Sequence, residues 1–309
     1  MDQAVFLHAL WWVGDAVFKE HINPFFCPLL GQPNGLSLIY TTICPLLGVI
    51  SYPLISVFGL IFTYNLWIFL SFFLLPVFTQ LLVLEMGGKK EGAFLAGMLM
   101  FFPFFLQAQI SHLNILSAYW FPLCYWLYLR FLRKNTLRSA LGFGLAMGGI
   151  FYVCSYQTIH LLILIAADML VRIGWHVWLR QGFNRKKILN LGVGLFLFAL
   201  LIAPFFLTKF LDPRHQVMNV GVVFGAKVFW SAEIKTYFSF KEGEFAIFPG
   251  YVWWLALVAV AVLRFGKMEG KRLFFYAFVF FVLSMGPILK WNGPVKLGED
   301  YFFLPGVLF

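Results

Sequence analysis

Long apolar runs separated by short basic links are the feature that most restricts how this chain can fold. Runs such as Leu60 to Leu84 and Ile188 to Leu207 are long enough to cross a bilayer as helices. Lysines and arginines gather in the links between such runs, at Lys89-Lys90, from Arg130 to Arg138 and from Arg180 to Lys187. Because basic links stay on the cytoplasmic side of a membrane, the pattern predicts that all three lie at one face. The sequence therefore predicts a multi-pass protein of the cell membrane.

Composition excludes a water-soluble globule. Of the 309 residues, 61% are hydrophobic, 20% are aromatic and only 12% are charged, and the mean hydropathy is +0.85. The net charge of +10 lies largely in the short links, so it reports orientation and we expect no nucleic-acid partner. The four cysteines lack C-x-x-C spacing, which indicates neither a zinc site nor a disulfide framework. A single Cys27–Cys44 bridge on the outer face is left open.

The order of the apolar runs predicts an all-α polytopic bundle of about eight transmembrane helices, folded as one domain over residues 1–309. Residues 1–59 form an outer loop with interfacial helices, residues 60–207 and 250–289 hold the transmembrane helices, and residues 208–249 and 290–309 are outer segments. Spans are expected over Leu60 to Leu84 and Gly92 to Leu106, and another ends near Tyr128. Leu137 to Trp178 is long enough for two short spans with a hinge near Ser155-Tyr156-Gln157.

The N-terminal outer loop begins with a predicted helix. Its apolar stripe consists of Phe6, Leu10, Val13 and Val17, at helical spacing. Such a stripe is typical of an amphipathic helix on the membrane surface, and this one is expected to end near His21. Trp11 and Trp12 are assigned to the aromatic belt of the interface. Repeated prolines then predict an irregular loop, and Leu36 to Gly59 is expected to be a kinked, re-entrant or interfacial segment.

Three polar residues on the predicted outer face are candidates for chemistry. Asp2 is suited to act as a general base or metal ligand near the lipid headgroups, and the alternative is the N-cap of a helix that begins at Val5. His112 and Asn114 lie between two spans, where polar groups need partners or water. They would bind a phosphate or sugar hydroxyls, or they would cap helix ends.

The long outer loop supplies the remaining candidates. Arg214 and His215 follow an Asp-Pro pair, and Glu233 stands close to a lysine, so the loop combines the charges that a phospho-sugar site requires. The alternative is that these charges only keep the loop soluble. Asp168 and Arg172 are four residues apart within one apolar run, which favours a structural ion pair.

Short motifs follow one another in an informative order. They are D-Q-x-x-F-x-x-x-L-W-W from Asp2, N-P-F from Asn23, P-N-G from Pro33, S-H-L-N from Ser111, S-A-E from Ser231, F-P-G-Y from Phe248 and S-M-G-P from Ser284. In this order they resemble the integral-membrane C-type glycosyltransferases, which use polyprenyl-phosphate-linked sugars as donors. The family usually has a span before the first outer loop and further spans after the last motif, so we expect this chain to be truncated at both ends.

The resemblance implies a transferase that works on the extracytoplasmic face of the lipid bilayer. Asp2 matches the acidic residue that serves as catalytic base or metal ligand, which leaves a divalent metal ion open as a cofactor. His112, Asn114, Arg214, His215 and Glu233 would bind the polyprenyl-phosphate sugar, although Glu233 stands where the S-A-D element has Asp. A transporter or lipid flippase and a non-catalytic membrane protein are the alternatives.

Overall fold

The structure, a computed structural model, describes most of the N-terminal two thirds of the chain. The described residues are 2–41, 43–101, 109–178 and 185–212, together with Phe278, Lys296–Leu297 and Asp300–Tyr301. The chain forms two compact units: Met1–Phe102 with Gln109–Gln216, and Pro103–Ala108 with Val217–Phe309. In the second unit, Lys296–Leu297 pairs antiparallel with Asp300–Tyr301.

The first unit is built mainly of helices, which confirms the predicted class. They are α1 (Asp2–Phe18), α2 (Pro45–Phe58), α3 (Leu60–Glu85), α4 (Lys90–Leu99), α5 (Leu113–Leu116), α6 (Trp120–Lys134), α7 (Leu137–Val153), α8 (Ser155–Trp178) and α9 (Arg185–Leu211). Between α1 and α2, strands β1 (Phe26–Cys27) and β2 (Leu36–Ser37) form a two-stranded antiparallel hairpin. The strands Lys296–Leu297 and Asp300–Tyr301 of the second unit are β3 and β4.

Three of the described helices are long and apolar enough to cross a membrane. They are α3, residues Ser155–Gly174 of α8, and α9, whereas α2 and α7 are apolar but shorter. These helices fit a membrane protein, and the total of eight spans remains a prediction. Two expected spans have other bounds: α4 has only 10 residues, and α6 runs from Trp120 to Lys134 instead of ending near Tyr128.

The predicted hinge between two spans is present. Helix α7 ends at Val153 and α8 begins at Ser155, with the extended backbone of Cys154 between them. The start of α7 is fixed by a capping box, because the Thr136 hydroxyl accepts a hydrogen bond from the Ser139 backbone N–H and Ser139 Oγ accepts one from the Thr136 N–H. Local polar chemistry thus sets the start of α7, and the short break at Cys154 separates it from α8.

Helix α1 packs against α2, so the apolar stripe predicted to face lipid is largely covered by protein. Phe6, Leu10 and Val13 are each at most 3% exposed. Trp12 is also buried, and its Nε1 donates a hydrogen bond to the carbonyl oxygen of Pro24 at 3.0 Å. The assignment of Trp12 to an interfacial belt is therefore wrong, because the indole packs and bonds within the fold.

The basic links of this unit gather at one end of the bundle. Arg133 at the end of α6 pairs with Glu85 at the end of α3, with Nη2 3.0 Å from Oε2. Asn190, near the start of α9, donates from Nδ2 to the carbonyl oxygen of Asn135 at 3.1 Å. We call this region the basic end. The opposite end, where α1 and the loop before α2 contact the ends of α7 and α9, is called the α1 end.

Candidate functional site

The start of α1 and the loop before α5 meet at the α1 end. The ring of Phe6 lies edge-on to the ring of His112, with 6.2 Å between their centroids. Asp2 is the first residue of α1 and precedes Phe6 by one helical turn, about 6 Å along the axis. The helix therefore begins three residues before the predicted start at Val5, and the N-cap alternative for Asp2 stays a prediction. The backbone brings two of the candidate positions into one region.

His112 immediately precedes α5 and is held by its neighbours. Its backbone N–H donates to the carbonyl oxygen of Gln109 at 2.9 Å, and its own carbonyl oxygen accepts from Leu116 N at 2.9 Å. Ser111 Oγ lies 3.2 Å from Nδ1 of the imidazole. The Tyr64 hydroxyl of α3 donates to the Ser111 carbonyl oxygen at 3.4 Å, which ties the loop to a candidate span. The half-buried imidazole is thus positioned by backbone and side-chain contacts together.

Asn114 and Gln157 place two buried oxygen acceptors next to this loop. Asn114 is 2% exposed, and Gln157 Nε2 donates to the carbonyl oxygens of Asn114 and Ile115, each at 3.2 Å. These two bonds fix the orientation of the Gln157 amide, so its Oε1 must be an acceptor. Neither Asn114 Oδ1 nor Gln157 Oε1 receives a hydrogen bond from any residue in the described part of the chain. Buried acceptors of this kind suit the hydroxyl groups of a ligand, or water.

Gln157 was identified from the sequence only as part of a hinge. The signal was the polar group Ser155-Tyr156-Gln157 inside an otherwise apolar run. The sequence could not identify the partner, because Gln157 bonds to the backbone of α5, more than forty positions earlier. Its role in holding α5 follows from the break at Cys154, which starts α8 beside α5.

We expect replacement of Gln157 by Leu to destabilise the packing of α5 against α8 and to lower the melting temperature. The change would leave the carbonyl oxygens of Asn114 and Ile115 without their donor in a partly buried place, which costs about 1–3 kcal/mol of unfolding free energy. Thermal unfolding in detergent would measure the loss. Ile159→Leu, two residues later on the exposed side of α8, is the matched control and should change little. Equal melting temperatures for Gln157→Leu and the parent would show that these bonds do not hold α5.

No disulfide bond joins the cysteines near this region. Cys27 and Cys44 are both buried and unbridged, so the Cys27–Cys44 bridge left open by the sequence is absent. Burial raises the pKa of the Cys44 thiol, and the neighbouring Cys154 raises it further. Burial likewise raises the pKa of Cys154. Since the thiolate is the form that oxidises, a raised pKa disfavours oxidation of both residues.

Arg214, His215 and Glu233 fall outside the described residues, and their placement in the site stays a prediction. The described ranges contain no group of three His, Cys, Asp or Glu side chains arranged to hold a metal ion. A metal bound through Asp2 also stays a prediction. The described part of the candidate site thus consists of the start of α1, the loop before α5 and the side-chain oxygens of Asn114 and Gln157.

No protein family, curated protein or solved structure matches the chain. A functional assignment therefore rests on the order of the short motifs and on the contacts of the first unit.

Proposed function

We propose that this chain is a membrane glycosyltransferase that moves a sugar from a polyprenyl-phosphate donor to an acceptor hydroxyl on the extracytoplasmic face. One observation carries the proposal: Phe6 of the first motif contacts His112 of the S-H-L-N motif. The two motifs lie more than one hundred positions apart in the sequence, and their meeting is what a shared site requires. The contact lies at the end of the bundle opposite the basic links.

In the proposed reaction, the Asp2 carboxylate takes the proton of the acceptor hydroxyl. The hydroxyl oxygen then attacks the anomeric carbon, and the bond from that carbon to the phosphate oxygen breaks with inversion. The electron pair leaves with the polyprenyl phosphate, whose charge Arg214 and His215 would stabilise. His112 would contact the phosphate or a sugar hydroxyl.

The buried amides give the site a means of recognising the sugar. Asn114 Oδ1 and Gln157 Oε1 are acceptors without donors among the described residues, so each suits one sugar hydroxyl. A site that offers such acceptors discriminates strongly against a substrate that lacks the matching hydroxyl, because the buried oxygen would be left unpaired. Deoxy analogues of the donor sugar should therefore be poor substrates.

The test is the dependence of sugar transfer on the Asp2 carboxylate. In membranes that contain the complete protein, we expect Asp2→Asn to lower transfer from a radiolabelled polyprenyl-phosphate sugar by about 10²–10⁴-fold, the usual contribution of a general base.

Asp15→Asn is the matched control. It changes an acidic residue of the same helix that pairs with Lys19 at 3.5 Å, and it should leave transfer unchanged. Full activity of Asp2→Asn would contradict a role of Asp2 as the general base.

A further inference from the structure

A cavity of about 50 Å³ opens at the α1 end, beside the loop that precedes α2. Its walls come from that loop, from the junction of α7 and α8, and from α9, and they include Phe25, Ile39, Cys44, Tyr152, Cys154 and Phe205. Most of these side chains are apolar or aromatic. A cavity of this composition suits part of a hydrocarbon chain better than a hydrated group.

The cavity adjoins the region of the candidate site. Cys44 and Cys154 belong to the same packed cluster as Phe6, which lies one helical turn after Asp2, and Leu113, which follows His112. Phe25 and Phe205 close the other side, with their rings edge-to-face at 5.3 Å. The first carbons of an apolar chain in the cavity would thus lie within the first unit, beside this packed cluster.

Lys209 lies one turn beyond Phe205 on the same side of α9. Its Nζ is 5.3 Å from the ring centroid of Tyr40, a residue flanked by two that line the cavity, and 5.9 Å from that of Phe210. The side chain is half-buried, and within the described ranges it forms no ion pair with a carboxylate. An ammonium group held against aromatic rings, with no carboxylate partner among the described residues, is available to pair with an anion.

The position of Lys209 is unusual for the charge pattern of this chain. The basic links of the described unit gather at the basic end, whereas Lys209 is in the last turn of α9 at the α1 end. A cation there complements the negative end of the helix dipole. That role is equally served by a solvent-exposed lysine, so it does not account for the half-burial beside the cavity.

We propose that the cavity and Lys209 together bind a lipid phosphate monoester, with the first carbons of the chain in the cavity and the phosphate at Nζ. The two features complement the two parts of such a molecule, one apolar and one anionic. A polyprenyl phosphate and a phosphatidic acid share this chemistry. For the polyprenyl phosphate, the inference rests on the proposed function, since that lipid is the expected carrier of the sugar.

The charge is tested by titrating the purified protein with dodecyl phosphate and measuring bound lipid by native mass spectrometry. We expect Lys209→Gln to weaken binding about tenfold or more, the loss typical of a hydrogen bond to a charged group. Lys19→Gln removes the same charge from an exposed lysine that already pairs with Asp15 and Glu20, and it should change binding less than about twofold. Equal affinities for Lys209→Gln and the parent would overturn the proposal.

The apolar part is tested with probes of different length. Inorganic phosphate should bind at least about tenfold more weakly than dodecyl phosphate, because the burial of two methylene groups alone accounts for that factor. Inorganic phosphate that binds as tightly as dodecyl phosphate would contradict a role for the cavity. Thermal unfolding of each variant, in the absence of lipid, checks that the fold is kept.

Binding of two further lipids distinguishes a site for the sugar-carrier lipid from a site for lipid phosphates in general. If Lys209→Gln weakens the binding of polyprenyl phosphate and of dioleoyl phosphatidic acid alike, the site takes lipid phosphates in general. If only polyprenyl phosphate responds, the site is that of the sugar carrier. Asp2→Asn should keep lipid binding while it loses sugar transfer. A protein that transfers sugar through Asp2 yet binds no dodecyl phosphate would overturn the docking site and leave the proposed function standing.

Discussion

Replacing Gly144 with Leu should separate α7 from α9 and strongly destabilise the protein. A Cβ atom added at Gly144 would overlap the carbonyl oxygen of Gly194, and one added at Gly194 would lie 2.7 Å from the carbonyl oxygen of Ala140. The obstacles are backbone atoms of the facing helix, which move only if the whole helix moves. Small residues allow this close approach, as is common between membrane helices. We expect a loss of about 3 kcal/mol, the upper part of the usual range for overpacking.

Gly142→Leu is the matched control for this experiment. Gly142 belongs to the same helix, but a Cβ atom there would meet nothing within 4 Å. Because Leu favours helix over Gly, this variant should melt at the same temperature as the parent or slightly higher. Thermal unfolding and size-exclusion chromatography in detergent would compare the two variants. If both lower the melting temperature equally, the close α7–α9 contact is not what stabilises the pair.

The elements that follow from hydrophobic length were predictable from the sequence. Helix α3 begins at the predicted residue and ends one residue after the predicted position, and the break between α7 and α8 falls one residue before the predicted hinge. A long apolar run allows few alternatives once its ends carry glycine or charge, as at Gly59 and Glu85. An Asp15–Lys19 pair is also present, at 3.5 Å, because a spacing of four residues on a helix brings side chains together.

The sequence could not predict whether an apolar helix face packs against lipid or against protein. The apolar stripe of α1 was correctly located, yet most of it packs against other parts of the protein. In a membrane chain both lipid and neighbouring helices are apolar, so periodicity does not distinguish them. The distinguishing residue here is Gly48 of α2, where an added Cβ atom would lie only 2.5 Å from Val13 Cβ. A single glycine in an apolar run does not reveal which helix faces it.

In the candidate site, likewise, the sequence predicted individual residues but not their partners. Polar residues between apolar runs, such as His112 and Asn114, could be singled out from sequence because polar groups at that depth need partners. Their partners are distant in the chain and depend on how the helices pack. The contact of Phe6 with His112 and the bonds from Gln157 to α5 therefore required the structure.

Breaking the buried ion pair of α8 should have the other large effect. Asp168 is fully buried, and its Oδ2 lies 2.6 Å from Arg172 Nε. The sequence predicted this pair from its spacing, and the structure confirms it and adds the Tyr128 hydroxyl, which donates to Oδ2 at 3.0 Å. Asp168→Leu would leave the partly buried guanidinium and the hydroxyl unpaired. We expect a loss of about 3 kcal/mol, since removal of one member of a buried pair exposes the full desolvation cost of the other.

Removing both charges distinguishes the desolvation cost of an unpaired Arg172 from a loss of side-chain packing. The double variant Asp168→Leu with Arg172→Met should regain most of the stability, short of about 1 kcal/mol for the unpaired Tyr128 hydroxyl. Asp15→Leu is the control with the same spacing, because its partner Lys19 is 62% exposed and such pairs contribute less than about 1 kcal/mol. Melting temperatures in detergent would measure all three variants. If the double variant is less stable than Asp168→Leu alone, the pair does not act through charge, and Arg172 must stabilise α8 through the packing of its aliphatic stem.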